Sequence, residues 1–485
     1  MRYIGFIIPT LLILLNFMIS PAFSQEEIFY MGNEYGINAR AMGMGNTRIC
    51  TAEDFSAAFS NPAALGMVRR MELQGSFSHL KIQDQALFLG KATTDSKNST
   101  KLNTLGFVFP VPTYRGSLVF SIGFARLRDY ESSLKMQAFN PQHSSYRPIL
   151  DEIYPDIYTY YDSTLQDYVD YFIDTTIDDS VFQKETLISS GGLKAWTVSG
   201  ALEVQKDIFL GASINVWSGS EEHTLTFVEE DQNEYYQAAD TSITEDGIVI
   251  YDYNDFKSLE SMQKINSEFN AINLKIGLLY RMNQFMKLGL TVESPKTFTI
   301  KEKWEDESTV NFDDGSYAEP SPNPYSGESE YKIQEPYIFG FGASASLLNF
   351  TLAGDVELVD WSQAKFLTDS PIYGETKDRV NTRIKENFTT VTNVHLGGEF
   401  SIPFLNTKIR AGYANRPSIF KDARDDEHKK YLSLGASLLL DKQMMLDFGW
   451  SHGWWTDYSF DSLTNVEAKE QKEVNRLLAT CSIRF

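Results

Sequence analysis

Beyond its first two dozen residues the chain has no apolar run approaching the 18 or so residues that a membrane helix needs, so any span of a bilayer has to be made of strands. It has only two cysteines, Cys50 and Cys481, near opposite ends. That is too few for a disulfide framework, and two separate thiols are favoured over a bridge, because the membrane face of a last strand is a poor place to meet residue 50. The six histidines are scattered, no His-Glu-x-x-His or Gly-x-Ser-x-Gly occurs, and nothing selects a catalytic set, a metal site or a cofactor. Basic residues are in deficit, 43 Lys and Arg against 65 Asp and Glu; the net charge of −22 argues against nucleic acid, which needs a basic face.

The apolar residues that are present lie where they define a compartment. Arg2, an apolar run from Ile4 to Ile19 and the small-residue site Ala22-Phe23-Ser24 read as a secretory signal peptide over 1–24, cleaved before Gln25. At the other end, Leu477, Ala479, Cys481, Ile483 and Phe485 alternate with Arg476, Thr480, Ser482 and Arg484, so one face wants lipid and the other water. Ending on an aromatic residue in the lipid-facing phase resembles bacterial outer-membrane barrels, whose assembly machinery reads a terminal signal of this kind; Phe485 is the residue it would read. The implied location is the outer membrane of a Gram-negative-type cell, with its lipid as a partner.

The same two-residue period predicts strands near 71–80, 102–109, 116–126, 193–205, 208–218, 270–281, 285–293, 332–348, 350–361, 391–402, 407–415, 431–440, 444–453 and 474–485. The count is fourteen. An even number is required if both ends of a single-chain barrel lie on the periplasmic side. Short connections at 110–115, 205–208, 281–285, 348–349, 403–406 and 441–443 alternate with long ones at 127–192, 219–269, 294–331, 362–390, 416–430 and 454–473. A soluble sandwich has no reason to sort its loops by parity, whereas an outer-membrane barrel has short periplasmic turns and long external loops. The fold class is therefore an all-β transmembrane antiparallel barrel over 71–485.

Residues 25–70 do not alternate. Ala39-Arg-Ala-Met-Gly-Met-Gly45 is followed by Thr51-Ala-Glu-Asp54, a capping box predicted to open a short helix through Phe59, which Asn61 and Pro62 end. The segment has the size and small-residue character of a plug.

These residues resemble the FadL/TodX family of outer-membrane transporters for long-chain fatty acids and aromatic hydrocarbons. The resemblance rests on Ala39 to Gly45, Ser56-Ala-Ala-Phe-Ser-Asn-Pro-Ala-Ala64, Gly289-Leu-Thr-Val-Glu-Ser-Pro295, Ala353-Gly-Asp-Val-Glu-Leu-Val-Asp-Trp-Ser362 and Ile409-Arg-Ala-Gly-Tyr-Ala414, spread in order along the chain. It implies a monomeric barrel of fourteen strands with an inward-folded hatch carrying Arg40, Asn61, Pro62 and Ala63. It also implies a hydrophobic small-molecule ligand caught outside, passed to a pocket above the hatch and released sideways through a gap made by a kink in the third strand. Gly116 and Gly123 are candidates for that kink, although glycine in a strand equally marks close packing.

Inward-phase Lys275, Lys408 and Arg410 are candidates for holding a ligand carboxylate; ion pairs with inward Glu293, Glu399 and Asp447 are the commoner use of such charges. The acidic, tyrosine-rich stretches 151–162 and 167–174 carry calcium-type ligands without the spacing of a dedicated calcium site, and read as a solvated surface with packed aromatics. Two other function classes stay open: an accessory barrel for protein secretion or surface attachment, which the large loops suit, and an enzyme at the external rim.

Overall fold

The computed structural model describes residues 36–145, 157–162, 167–174, 177, 179–236, 240–244, 247–251, 255–319, 322–371, 376–461 and 466–485. The signal segment 1–24, the first residues of the expected plug and part of the acidic stretch at 151–162 lie outside them.

Fourteen strands form the wall. They are β1 (Glu72–Phe88), β2 (Lys91–Val111), β3 (Leu118–Asp129 continued by Ser132–Asn140), β4 (Val181–Gln205), β5 (Ile208–Glu230), β6 (Phe256–Arg281), β7 (Met286–Glu293 continued by Thr297–Phe312), β8 (Tyr325–Gln334 continued by Ile338–Leu347), β9 (Phe350–Asp360), β10 (Thr390–Ile402), β11 (Thr407–Arg416), β12 (Lys429–Leu439), β13 (Met444–Asp461) and β14 (Val466–Arg484). Each pairs antiparallel with its neighbours, and β14 returns to β1 from Glu72↔Arg484 up to Leu87↔Lys469, which closes the barrel. The last amide is used too, Phe485 N donating to Met71 O at 2.9 Å.

The two faces are those the alternation predicts. Phe120, Ile122, Ile272, Ile276, Leu432, Leu434 and Leu477 stand exposed on the outer face, while Ser121, Asn273, Lys275, Ser433, Ser437 and Thr480 are buried inside. No helix among the described residues is long and apolar enough to cross a membrane.

Several strands run well past the predicted ends. β1 and β2 continue to a two-residue turn at Leu89 and Gly90, both at positive φ, the geometry of a tight hairpin. Beyond Leu80 the apolar residues change phase: Leu80, Ile82, Ala86 and Phe88 lie on the inward side, where Ala86 and Phe88 pack with Leu134, Met136 and Ala138, while Lys81, Gln83 and Gln85 take the outward one. Two external connections also contribute a separate four-stranded sheet, Ile157–Asp162, Asp167–Asp174, Gly247–Tyr251 and Asp240–Thr244. The connection after β9 holds α3 (Lys377–Asn387), capped by Thr376, with Val380 and Ile384 buried one turn apart.

β7 and β8 share one interruption. Ser294-Pro295-Lys296 and Glu335-Pro336-Tyr337 break the two strands at the same height, where proline cannot donate to a ladder. Glu335 N donates to Lys296 O at 2.8 Å, and the buried Lys296 ammonium pairs with Glu335 at 2.6 Å and Glu293 at 3.0 Å. One backbone bond thus persists across the break, and a buried ion triad joins the two strands beside it.

The lipid face generates one expectation. Leu434→Arg should destabilise the barrel by about 2–4 kcal/mol, while Leu434→Phe should be nearly neutral. Reversible unfolding in lipid vesicles measures both, and equal stability of the two variants would contradict the assigned faces.

Candidate functional site

Residues 36–68 lie inside the barrel and contain α1 (Ala39–Gly43), α2 (Ala57–Ser60) and a 3-10 turn, Pro62–Met67. The predicted capping box does not start a helix. Thr51 Oγ1 donates back to Thr47 O, and Asp54 accepts from Ser56 N at 2.8 Å, a local turn that competes with helix formation and delays it to Ala57.

The inner segment follows the wall around, strand by strand in reverse. Ala39 N donates to Thr480 of β14 at 3.0 Å; Gly43 lies on Gly435 of β12; Gly45 lies on Gly412 of β11, with its carbonyl 3.0 Å from His395 Nδ1 of β10. The backbone amides of Arg48 and Ile49 both donate to Asp355 of β9, the second at 2.9 Å. Asn61 and Pro62 rest on Gly277 of β6 and Gly211 of β5, and Ser117, just before β3, donates to Gly66 O at 2.6 Å. Phe55 crosses to the other side, packing on Gly106 of β2 and Gly123 of β3.

Close approach of one backbone to another is what the wall glycines permit. A Cβ on Gly412 would collide with Gly45 N, and one on Gly277 with the Asn61 side chain. Gly211, Gly397 and Gly449 stand against the segment in the same way. This belt of inward-phase glycines was missed in the sequence, where each reads as an isolated gap in an alternating strand. The signal that could have found it is recurrence at one height, which requires the strand register.

The residues named from sequence are placed as follows. Asn61 is fully buried: its Nδ2 donates to Ile49 O at 3.0 Å and to Leu278 O of the wall at 3.2 Å, and its Oδ1 accepts from Ala63 N at 3.1 Å. Pro62 opens the 3-10 turn. Arg40 Nε meets Glu399 at 3.3 Å. The three candidate headgroup cations are all in ion pairs: Lys408 with Glu399 at 2.8 Å, Arg410 with Glu399 at 2.7 Å and Asp447 at 2.9 Å, and Lys275 with Glu293 at 3.1 Å while donating to Phe59 O at 2.9 Å. Glu399 therefore collects Arg40 from the inner segment and two wall cations, and Lys275 ties the wall to the end of α2.

Above the inner segment lies an apolar cluster. Phe59, Trp217, Phe269, Phe298, Ile300, Tyr331, Ile333 and Phe366 cluster with Val380, Ile384 and Phe388 of the α3 connection. Trp217 and Phe298 meet edge to face at 6.3 Å, and Tyr331 stacks on Phe366 at 6.0 Å. The Lys296 ammonium stands 4.9 Å from the Trp217 ring centroid. α3 could not be anticipated, because only Val380 and Ile384 mark its buried face.

The wall is incompletely zipped between β2 and β3. β2 and β3 pair only from Thr104↔Ala125 to Val111↔Leu118, and above that β2 keeps β1 alone as a ladder partner. Neither glycine proposed for a kink makes this break. Gly116, at φ +71°, precedes β3 in the turn, and Gly123 is in register opposite Gly106, where the Phe55 ring requires a residue without a Cβ. The irregularity in β3 is a bulge at Leu127, between Arg126↔Lys194 and Arg128↔Leu193, and Asn103 bulges from β2 to donate to Ile37 O at 2.7 Å.

Both cysteines are free. Cys50 is buried in the inner segment, where burial pushes its thiol pKa up; Cys481 is half-buried in the wall.

The family described as outer membrane protein transport protein (OMPP1/FadL/TodX) matches residues 29–480. No curated protein matches the sequence. Among solved structures, the toluene transporter TodX of P. putida is similar at 11% identity and a TM-score of 0.56, covering 93% of this chain and 99% of that one. A FadL homologue of Pseudomonas aeruginosa is similar at 12% identity and 0.56, covering 93% and 99%. The toluene transporter TbuX of Ralstonia pickettii is similar at 13% identity and 0.53, covering 93% and 98%. At these identities the likeness is one of fold.

Cys50 makes the seating of the inner segment measurable. Hydrogen bonds to a charged acceptor are worth roughly 1.5–3 kcal/mol each, so Asp355→Ala should loosen the segment and speed maleimide modification of Cys50 by about tenfold or more in a Cys481→Ser background. Gly277→Ala should act in the same direction by displacing Asn61. An unchanged rate in both variants would mean that these contacts do not hold the segment.

Proposed function

The chain belongs to the OMPP1/FadL/TodX family of outer membrane transport proteins, and we propose that it carries hydrophobic or amphipathic small molecules, long-chain fatty acids or aromatic hydrocarbons, through a hatched barrel with sideways release. The observation that carries this reading is the apolar cluster inside the barrel. A water-filled pore keeps a polar lumen; a lumen lined by Trp217, Phe298, Tyr331 and Phe366 directly above the inner segment suits cargo that water does not solvate. An acyl chain moved through such surroundings avoids a transfer cost of about 0.8 kcal/mol per methylene.

In this reading residues 36–68 are the hatch. Asn61, Pro62 and Ala63 form its seat on β5 and β6, and Arg40 is its ionic tie to Glu399. Tyrosines of the external loops supply first contact with the ligand, and the unzipped length of β2 and β3 is the way out to the membrane. Phe485, at the seam that closes the barrel, serves assembly. Lys275 staples hatch to wall, and Lys408 and Arg410 hold the wall carboxylate that receives Arg40, since a ligand carboxylate would have to displace Glu293, Glu399 or Asp447 to reach them.

Native mass spectrometry of the purified barrel, followed by titration with oleate and oleyl alcohol, tests the reading. Retained or titratable acyl chains are expected, and an empty barrel that binds neither probe would favour the accessory role in secretion or attachment. Arg410→Met should leave any preference for oleate over the alcohol unchanged. A lost preference would restore Arg410 as a headgroup ligand.

A further inference from the structure

The open length between β2 and β3 is not empty, because side chains cross it. On its far side, the pairing of β3 with β4 jumps from Asp129↔Gly192 to Ser132↔Ser189, so the turn at Tyr130 and Glu131 leaves Gly191 without a partner in β3. Two lysines of β2 reach these groups. Lys101 Nζ donates to Gly191 O at 2.8 Å and Lys97 Nζ to Ser189 O at 2.7 Å. Both also pair with Glu131, at 2.5 Å and 2.9 Å respectively, and Asp129 lies 3.6 Å from Lys101 while Arg476 of β14 holds it at 3.0 Å.

We propose that Lys97 and Lys101 are a latch: their ion pairs hold shut a seam that the backbone ladder leaves open. The inference rests on the sideways-release reading for its purpose, though not for its geometry.

Three features distinguish a latch from an ordinary staple. The first is height. Thr104 and Lys101 stand opposite Ser76 and Ser78, four and six residues above Glu72; at a rise near 3.3 Å per residue and a tilt near 40°, that is roughly 10 and 15 Å up an apolar band about 25 Å tall. Opened at Lys101, the seam faces hydrocarbon rather than water; Lys97, opposite Ile82 and ten residues above Glu72, closes it near the top of that band.

The second feature is what lies behind it. Leu127, Tyr130 and Leu193 belong to the lumen's apolar cluster, with the Tyr130 and Phe269 rings 5.6 Å apart. The lysines therefore form a polar closure over an apolar lining. The third is reversibility. A paired strand separates only by breaking a cooperative ladder, whereas a lysine swings on a flexible stem and keeps its charge hydrated at the new position. The side chains of Lys97 and Lys101 retain 24% and 21% exposure, so neither has to cross a dry barrier to be released.

The experiment measures the seam without a ligand. Spin labels at the outward positions Leu102→Cys and Ile188→Cys, in a Cys481→Ser background, report the distance across it. Lys97→Met with Lys101→Met should lengthen and broaden that distance. Glu131→Gln, which keeps the lysine bonds to the two carbonyls, should give a smaller change and decides the matter if the double variant does not assemble. An unchanged distribution overturns the latch.

A second arm follows uptake of radiolabelled oleate in a Gram-negative host lacking its own transporter of this kind. Lys101→Cys with Glu131→Cys, bridged by a short bis-methanethiosulfonate linker that joins both thiols through disulfides cleavable by dithiothreitol, should stop uptake. After reduction, uptake should exceed the unsubstituted rate by roughly tenfold, the scale of one lost charge-assisted bond. Uptake that persists with the linker in place overturns sideways release while the distance measurement still decides the latch.

Discussion

Inside hydrocarbon a peptide N–H or C=O has no water to bond, so every one must find a partner within the protein. Closure of the ladder between β14 and β1 meets that demand for the wall. The exceptions are where the chemistry gathers. Proline interrupts β7 and β8, and buried Lys296 joins Glu293 and Glu335 across the break. β3 leaves β2 at Thr104, and Lys97 and Lys101 take up the carbonyls at the seam. In both places charged side chains join strands where the backbone ladder is interrupted, which makes the wall locally dependent on ion pairs.

A closed wall of fourteen strands encloses more space than its own side chains fill, and the inner segment occupies it. The segment is held by two complementary devices. Glycines on the wall let its backbone come into direct contact, and carboxylates such as Asp355 and Glu399 receive its amides and its arginine. Arg40, Lys275, Lys408 and Arg410 all meet carboxylates inside the barrel, so the candidate headgroup cations have partners already. The lumen above is left to aromatic and aliphatic groups, including two residues of a helix that reaches in from an external connection. Polar fastening below and apolar lining above give the interior a direction.

The sequence by itself determined the wall. A two-residue period with apolar residues outward, an even strand count and loops sorted by length follow from a sheet that has lipid on one face, and the residue order carries them locally. Leu432, Leu434 and Leu438 announce their face without knowledge of any neighbour. Beyond Leu80 the apolar residues of β1 pass to the inward phase, and the outward-facing pattern does not carry the true length of β1 and β2 for that reason. Tertiary structure alone decided everything that depends on register between distant strands: Gly412 under Gly45, Glu399 among Arg40, Lys408 and Arg410, the bulge at Leu127 instead of a kink at Gly116 or Gly123, and lysines of β2 on carbonyls of β4. Such contacts join residues on different strands, many of them hundreds of positions apart, and no local pattern encodes which of many inward charges or glycines will share a height.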